Sequence, residues 1–339
     1  MNTSVREKQS FFLNTSDVRN SHRSNISLIA ITCLFFVIIL AFPDVSARAV
    51  KSSLTLCFYK LIPSLFPFMI LGDMFFSLGA GEVAGRILGK LFKKLFGISE
   101  NGVGAFVLGA VCGLPLGAKY ALKLYENGDI SKSDCERLMG ISTNAGLGFV
   151  TAGVGVATFG SARLGIALYL CQIAAAVICG VLQKSKPNIQ TIAPVTRKNS
   201  KKQFSVVFTS AVSDSTLAML KICGFAVFFG VLTEFLRSAA ILFSLPPLFF
   251  ATISAFPELT SSCEILHTFS LSNAPVTLYS AHILTFFAVG FCGFCVHFQV
   301  ASFADGYGIS MRRYYLTKLL SGVICALLGA AVLHFIPLL

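Results

Sequence analysis

Long apolar runs alternate with short polar segments along the chain. Several runs approach or exceed the ~20 residues that a helix needs to cross a bilayer. Examples are residues 26–42, 164–182, 204–232 and 314–339. Of the 339 residues, 55% are hydrophobic and only 12% are charged, and that charged fraction is roughly half of what a soluble domain carries. The pattern predicts an all-α polytopic membrane protein.

The basic residues lie between the apolar runs and do not form a basic domain, although the formal net charge is +12. Lys and Arg in such loops mark the cytoplasmic side of a membrane, and we expect no nucleic-acid partner. The polar composition of residues 1–25 predicts a disordered cytoplasmic N-terminus. We expect residues 26–43 to form a first transmembrane helix and residues 184–203 to form a basic cytoplasmic linker. A cleaved signal peptide is the alternative for the first apolar run, whose 17 residues exceed the usual length of such a segment.

A lysine and an acidic residue recur at one spacing on the two sides of the linker. Lys60 precedes Asp73 by thirteen residues, and Lys221 precedes Glu234 by the same interval. Thirteen residues span about 20 Å along a helix, so neither pair can close within its own helix. We interpret each pair as marking the two membrane boundaries. The shared spacing indicates an internal duplication.

Further segments correspond in the same order in the two halves. The matching pairs are Pro115 with Pro257, residues 141–153 with 290–302, and residues 176–182 with 322–328. The first copy covers residues 52–183 and the second 204–339. Counting spans from a cytoplasmic N-terminus predicts that the copies have inverted topology. The expected fold has about seven full spans and two broken, re-entrant segments, a plan that recurs in secondary transporters.

Helix breakers interrupt an apolar run in each copy. Gly113, Pro115 and Gly117 lie in "GAVCGLPLGAKYAL", and Pro257 holds the corresponding place in the second copy. Gly113 can end one half-helix in a left-handed conformation, and Pro115 can occupy the first position of the next. The second half-helix then directs free N–H groups into the membrane, where they suit an anionic group. A plain kink is the alternative, but paired breaks favour a binding site.

Polar side chains near the breaks complete the predicted substrate site. Lys119 and Glu258 follow the two prolines, and we expect them to pair when no substrate is bound. The alternatives are snorkelling for Lys119 and compensation of the helix dipole for Glu258. The other candidates are hydroxyl, amide and imidazole groups that could line the path: Thr260, Ser261, Ser262, Asn144, His297 and Gln299.

The sequence contains no motif for catalysis or metal binding. It has no P-loop, no Ser/His/Asp or Cys/His set, no carboxylate pair suited to catalysis and no cluster of metal-ligating residues. We therefore expect a protein that is not an enzyme and that uses neither a cofactor nor a metal.

Three stretches resemble the sporulation integral membrane protein family (YlbJ-like): residues 62–75, 113–146 and 290–320. That family contains the nucleoside-recognition, or Gate, domain, which also occurs in nucleoside transporters and ferrous-iron permeases. The resemblance implies a Gate-like first repeat, a role in spore formation in an endospore-forming bacterium, and movement of a small metabolite. Dipicolinate, an aromatic dicarboxylate, is the substrate class to which it points.

The leading hypothesis is a permease of the bacterial cell membrane, or of a forespore membrane, that moves a small anionic metabolite through a site between the broken helices. Two alternatives remain, a non-transporting scaffold for the sporulation envelope and a nucleoside transporter. The expected partners are membrane lipids and a small-molecule substrate. The sequence leaves open a homo-oligomer or a complex with sporulation membrane proteins.

Overall fold

The computed structural model describes the backbone of residues 15–185, 203–271 and 275–335. Contacts divide the chain into two units, one up to Arg48 and one from Ala49 onwards. The first unit contains α1 (Thr15–Ala41), whose apolar part is the predicted first transmembrane segment. Because α1 begins at Thr15, the predicted disorder is wrong for residues 15–25. A helix formed by the apolar run extends backwards at little cost. Residues 1–14 and most of the linker lie outside the described residues.

The helices that follow range from 8 to 39 residues in length. In the first half they are α2 (Pro43–Leu56), α3 (Ile62–Ser77), α4 (Ala80–Phe96), α5 (Val103–Cys112), α6 (Leu116–Glu126), α7 (Lys132–Ser142) and α8 (Ala162–Leu182). In the second half they are α9 (Phe204–Leu242), α10 (Pro247–Ser254), α11 (Leu259–Ser270), α12 (Pro275–Phe291), α13 (Gly293–Ala304) and α14 (Met311–Phe335). Two π-helical segments (Cys57–Leu61 and Phe149–Thr158) and a 3₁₀ turn (Glu100–Gly102) join some of them.

Five helical stretches in the described part of the chain are long and apolar enough to cross a membrane. They are Pro43–Ser77, Ala162–Leu182, Phe204–Leu242, Leu278–Ala304 and Met311–Phe335. A sixth results if α4 and the segment Glu100–Cys112, bent by 109°, are counted together. Large apolar side chains such as Leu170, Leu217 and Leu220 are exposed on these helices, as expected for a lipid-facing surface. The all-α, multi-pass membrane fold is confirmed, whereas the count of about seven spans is not.

The two halves contain the same order of elements. The first has α3, the broken pair α5–α6, the pair formed by α7 and the π-helix 149–158, and α8. The second has α9, the broken pair α10–α11, the broken pair α12–α13, and α14. Corresponding elements also pack together, α3 against α9 and α8 against α14. Within the described ranges, the first half carries an amphipathic helix, α4, that has no equivalent in the second half, with Arg86, Lys90, Lys93 and Lys94 along it.

Several loops meet at one end of the second unit. The side chain of Asn101, before α5, donates to the carbonyl of Asp129, after α6, at 3.1 Å, so the broken pair starts and ends on one side. The loop between α13 and α14 reaches the same end, because Arg313 donates to Ser133 Oγ at 3.1 Å. The end of α8 lies there too, since Lys184 donates to the carbonyl of Lys94 at 2.7 Å.

Other loops meet near the start of α8. The ring of Phe159, just before α8, lies 5.0 Å from that of His267 near the end of α11 and 5.5 Å from that of His282 on α12. The 21 residues of α8 span about 30 Å, so its start and its end lie far apart. The loops that follow α6 and α11 therefore belong to different ends of the unit.

Close packing at the first break depends on glycine. A Cβ on Gly109 of α5 or on Gly117 of α6 would lie 1.9 Å from the carbonyl oxygen of Ser142, which ends α7. Real Cβ atoms essentially never approach that closely. The two half-helices can therefore contact the end of α7 only because both positions lack a side chain.

Candidate functional site

The first predicted break is present between α5 and α6. Helix α5 ends at Cys112. Pro115 is the N-cap of α6, and the peptide bond between Leu114 and Pro115 is cis. Gly113 has a φ of +91° and a ψ of −164°. Two details differ from the prediction, since Gly113 is not in the left-handed helical conformation and Pro115 precedes the first helical residue. The backbone is shaped instead by the neighbouring break, because a Cβ on Gly113 would lie 2.5 Å from the backbone nitrogen of Gly146.

The second predicted break lies between α10 and α11. Pro257 follows the end of α10, and Glu258 is the N-cap of α11. The carboxylate of Glu258 accepts the N–H groups of Thr260 at 2.9 Å and Ser261 at 2.7 Å. Ser262 Oγ donates to the carbonyl of Ser254 at 2.6 Å, across the break. Two of the N–H groups predicted to receive an anion are therefore already bound to a carboxylate of the protein.

Two further helix breaks contact the breaks at Pro115 and Pro257. Residues 143–146 are irregular between α7 and the π-helix 149–158, and Cys292, with a φ of +74°, separates α12 from α13. The N–H groups of Phe294 and Cys295 donate to the carbonyls of Phe256 and Pro257 at 2.7 and 2.9 Å. In each half, one break is therefore held directly against the other.

A small cavity of about 40 Å³ lies where the four breaks meet. The residues of the breaks and the adjoining turns that line it are Leu114, Ala145, Gly146, Phe149, Glu258, Leu259, Thr260, Cys295, Val296 and Gln299. The other four are Leu61 and Leu65, near and in α3, and Ile222 and Ala226 in α9. Leu61 and Ile222 directly follow Lys60 and Lys221, so the cavity is faced by one position from each half that the sequence pattern pairs.

A larger cavity of about 320 Å³ adjoins the small one. Both are lined by Phe149 and Thr260, and the larger one is also lined by Lys60. Lys60 forms an ion pair with Glu264 of α11. The side chains of this pair are 39% and 46% exposed, so the larger cavity lies beside a partly exposed ion pair.

A buried ion pair lies on the other side of the small cavity. Lys119 Nζ is 2.8 and 3.0 Å from the carboxylate oxygens of Asp73, which is 1% exposed. That carboxylate also accepts the hydroxyls of Tyr120 at 3.3 Å and Ser215 at 3.0 Å. The predicted pairing of Lys119 with Glu258 is wrong, because α6 lies alongside α3 and brings Lys119 to Asp73. Asp73 is buried inside the protein, and its position at a membrane boundary stays a prediction.

Sequence reasoning missed Lys318, which is completely buried on α14. Its ammonium donates to the carbonyl of Thr143 at 2.7 Å, in the break after α7. Gln172 of α8 holds the same break, since its amide accepts the N–H of Ala145 at 3.1 Å and donates to the carbonyl of Ala145 at 2.9 Å. The signal was available in the repeat, because Gln172 precedes Cys179 by seven residues and Lys318 precedes Cys325 by seven.

The remaining candidates lie around the cavity rather than in it. The side chain of Asn144 donates to the carbonyl of Ile141 at 2.7 Å, and His297 Nδ1 lies 3.0 Å from the hydroxyl of Tyr314. Both side chains are buried. Of the predicted site residues, those that line the cavity are Glu258, Thr260 and Gln299. Among the described residues, no group of three or more His, Cys, Asp and Glu side chains could hold a metal ion.

The chain is similar to the sporulation integral membrane protein YlbJ of Bacillus subtilis (strain 168). The two are 28% identical over an alignment of 343 positions, and the alignment covers 91% of this chain and 82% of the relative. No family model matches the chain, and no solved structure matches it. The resemblance found in the motifs is confirmed, whereas the Gate domain stays a prediction.

Proposed function

We propose that this protein is a permease that moves a small anionic metabolite across a bacterial membrane during spore formation. The observation that carries the proposal is the cavity at which four interruptions of transmembrane helices meet. The sporulation role follows the name of the relative, and the dipicolinate class of substrate follows the family resemblance.

The breaks support transport because irregular backbone is costly at membrane depth. Its polar groups must be buried in protein or face a wet cavity. A scaffold needs no such interruption, whereas broken helices that face each other from two repeats are common in secondary transporters. The equivalent loops after α6 and α11, which belong to different ends of the unit, also support an inverted arrangement of the copies.

The ion pairs on the two sides of the cavity fit an alternating-access mechanism. Asp73 follows Leu65 by eight residues along α3, or about 12 Å. Lys60 directly precedes Leu61. The cavity therefore lies between the buried pair of Asp73 and the accessible pair of Lys60. We infer that the path is closed on the Asp73 side and approached from the Lys60 side through the larger cavity.

The small cavity must widen during the cycle. Its volume of about 40 Å³ admits a few water molecules, whereas ligand pockets for small molecules measure roughly 300–1,000 Å³. Separation of the paired breaks is the movement that would enlarge it, since each break is held against its neighbour by only a few backbone contacts.

Uptake by the purified protein in lipid vesicles tests the proposal. Labelled dipicolinate, a labelled aromatic monocarboxylate and a labelled nucleoside are supplied in parallel. We expect uptake of the dicarboxylate, loss of that uptake in Ala226→Leu, which fills the cavity, and normal uptake in Leu220→Phe, which enlarges an exposed side chain of the same helix.

The other outcomes select the alternatives. Uptake of the nucleoside alone would favour a nucleoside transporter. Folded wild-type protein that moves none of the three compounds would favour the scaffold and end the proposal.

A further inference from the structure

Lys318 differs from the other buried cations in its partners. Within the described chain, no carboxylate lies within 4.0 Å of its ammonium, whereas Lys119 has Asp73 and Arg137 has Asp134. An ammonium group has three N–H donors. That of Lys318 donates to the carbonyl of Thr143 at 2.7 Å and also contacts the thiol of Cys292, and neither partner is a carboxylate. The residue is 0% exposed, so bulk water does not compensate the charge.

The polar groups around Lys318 are incompletely bonded as well. Ser321 Oγ lies one helical turn after Lys318 on α14 and has no hydrogen-bond partner. Asn144 Oδ1, next to Thr143, and His297 Nε2, whose ring contacts Tyr314 on the same face of α14, also have none. Buried polar groups are nearly always paired, so several unpaired groups beside an uncompensated cation indicate that a ligand belongs there.

The break after α7 connects this cluster to the cavity. Thr143, which binds Lys318, is followed by Ala145 and Gly146, which line the cavity. The thiol of Cys292 lies 3.8 Å from the same carbonyl of Thr143, and Cys295, one turn further along, lines the cavity. Movement of the irregular segment 143–146 would therefore expose the ammonium of Lys318 to the cavity.

We propose that Lys318 is the anion-binding residue of this protein and that a carboxylate or a small inorganic anion replaces the carbonyl of Thr143 as its partner. The carboxylate of Glu258 is not the anion that binds Lys318, because it already accepts the N–H groups at the start of α11. The inference rests on the proposed function in one respect, namely that the bound anion is the transported metabolite.

A purely structural lysine is the competing explanation. In that case Lys318 would act as Gln172 does at the corresponding position of α8, as a donor that fixes the break and binds no ligand. The two explanations differ in their response to added anion, since a purely structural donor gains nothing from one.

Thermal unfolding of the purified protein in detergent tests the proposal. The midpoint is measured with increasing dipicolinate, acetate or chloride, against a bulky organic sulfonate, which is neither a carboxylate nor a small inorganic anion, at equal ionic strength. We expect at least one of the three anions to raise the midpoint of the wild type, and Lys318→Met to weaken the apparent affinity by about tenfold or more, the effect of losing a charged hydrogen bond. Lys318→Arg and the surface control Lys93→Met should keep the response.

The pattern of responses identifies the anion. A response to dipicolinate but not to chloride assigns the site to the substrate, and an equal response to both assigns it to a resident inorganic anion. An unchanged response in Lys318→Met, or none in the wild type, overturns the proposal. If Lys318→Met does not fold, Lys318→Gln takes its place, because glutamine is accommodated at the corresponding position 172.

Uptake measurements separate this inference from the proposed function. If an anion stabilises the protein through Lys318 but the wild type shows no uptake, the anion site is supported and the permease proposal is contradicted. If Lys318→Met takes up the compound with an unchanged KM, the permease proposal is supported and the anion site is contradicted.

Discussion

The ammonium of Lys119 lies 2.8 and 3.0 Å from the two carboxylate oxygens of Asp73, and this pair joins α6 to α3. The hydroxyls of Tyr120 and Ser215 complete the hydrogen bonding of the carboxylate. Because Ser215 belongs to α9, one buried acidic residue links the half-helix α6 to α3 of the first half and to α9 of the second half.

Removing the charge of one partner of this ion pair should lower the stability of the protein. Asp73→Asn leaves the ammonium of Lys119 without its counter-charge, and we expect a loss of about 3–5 kcal/mol in the free energy of unfolding. The double variant Asp73→Asn with Lys119→Met should recover much of that loss, because no buried charge is left alone. Thermal unfolding in detergent measures both, with the exposed Lys93→Met as control.

The partner of Lys119 can be checked in the same experiment. Adding Glu258→Gln to Lys119→Met should give no recovery, because Glu258 contacts backbone N–H groups and not Lys119. Recovery in that double variant would contradict the ion pair described above.

Glu258 should behave as a helix cap. Replacing it by Ala removes the acceptor for the N–H groups of Thr260 and Ser261, and loss of an N-cap acceptor costs about 0.5–2 kcal/mol. We therefore expect Glu258→Ala to destabilise the protein less than Asp73→Asn does, when both are unfolded under the same conditions. A larger effect at Glu258 would indicate a role beyond capping.

Gly117 should not tolerate even a methyl group. In Gly117→Ala the new Cβ would lie 1.9 Å from the carbonyl oxygen of Ser142, so α6 must move away from α7. We expect a destabilisation of about 1–3 kcal/mol or more from this overpacking. Gly224→Ala on α9 is the matched control, because a Cβ there meets nothing within 4 Å and alanine favours helix by up to about 1 kcal/mol. Equal stability of the two variants would contradict the close approach.

The breaks could be predicted from the sequence and the ion pairs could not. Pro115 and Pro257 act locally, because proline disfavours helix wherever it stands. The partner of Lys119 depends on how α6 is rotated and placed against α3, which is set by packing over the whole bundle. The amphipathic pattern of α4 was likewise readable, since it depends on positions within one helix.

The burial of Lys318 could not be predicted from the residues around it in the sequence. It follows Arg312 and Arg313 at the start of an apolar run, where a lysine would ordinarily extend to the membrane surface. Its burial results from contact of α14 with α7, α8 and α12, which no local pattern indicates. Only the correspondence with Gln172 in the other copy marked the position.

The last prediction concerns the orientation of the copies. Asn127 and Leu271 are the C-caps of α6 and α11, the second half-helices of the two broken pairs, and both are exposed. If the copies are inverted, these corresponding positions face opposite sides of the membrane. Asn127→Cys and Leu271→Cys, each in a Cys33→Ser background that removes the exposed native cysteine, should react with a membrane-impermeant thiol reagent from opposite faces. Asn101→Cys is the control: its native side chain contacts Asp129, so it should react from the same face as Asn127→Cys. The positions Ser200 and Ser272 would serve the same purpose but lie outside the described residues. Reaction of Asn127→Cys and Leu271→Cys from one face would show that the two copies run in the same direction, and paired half-helices could then not approach the cavity from opposite sides.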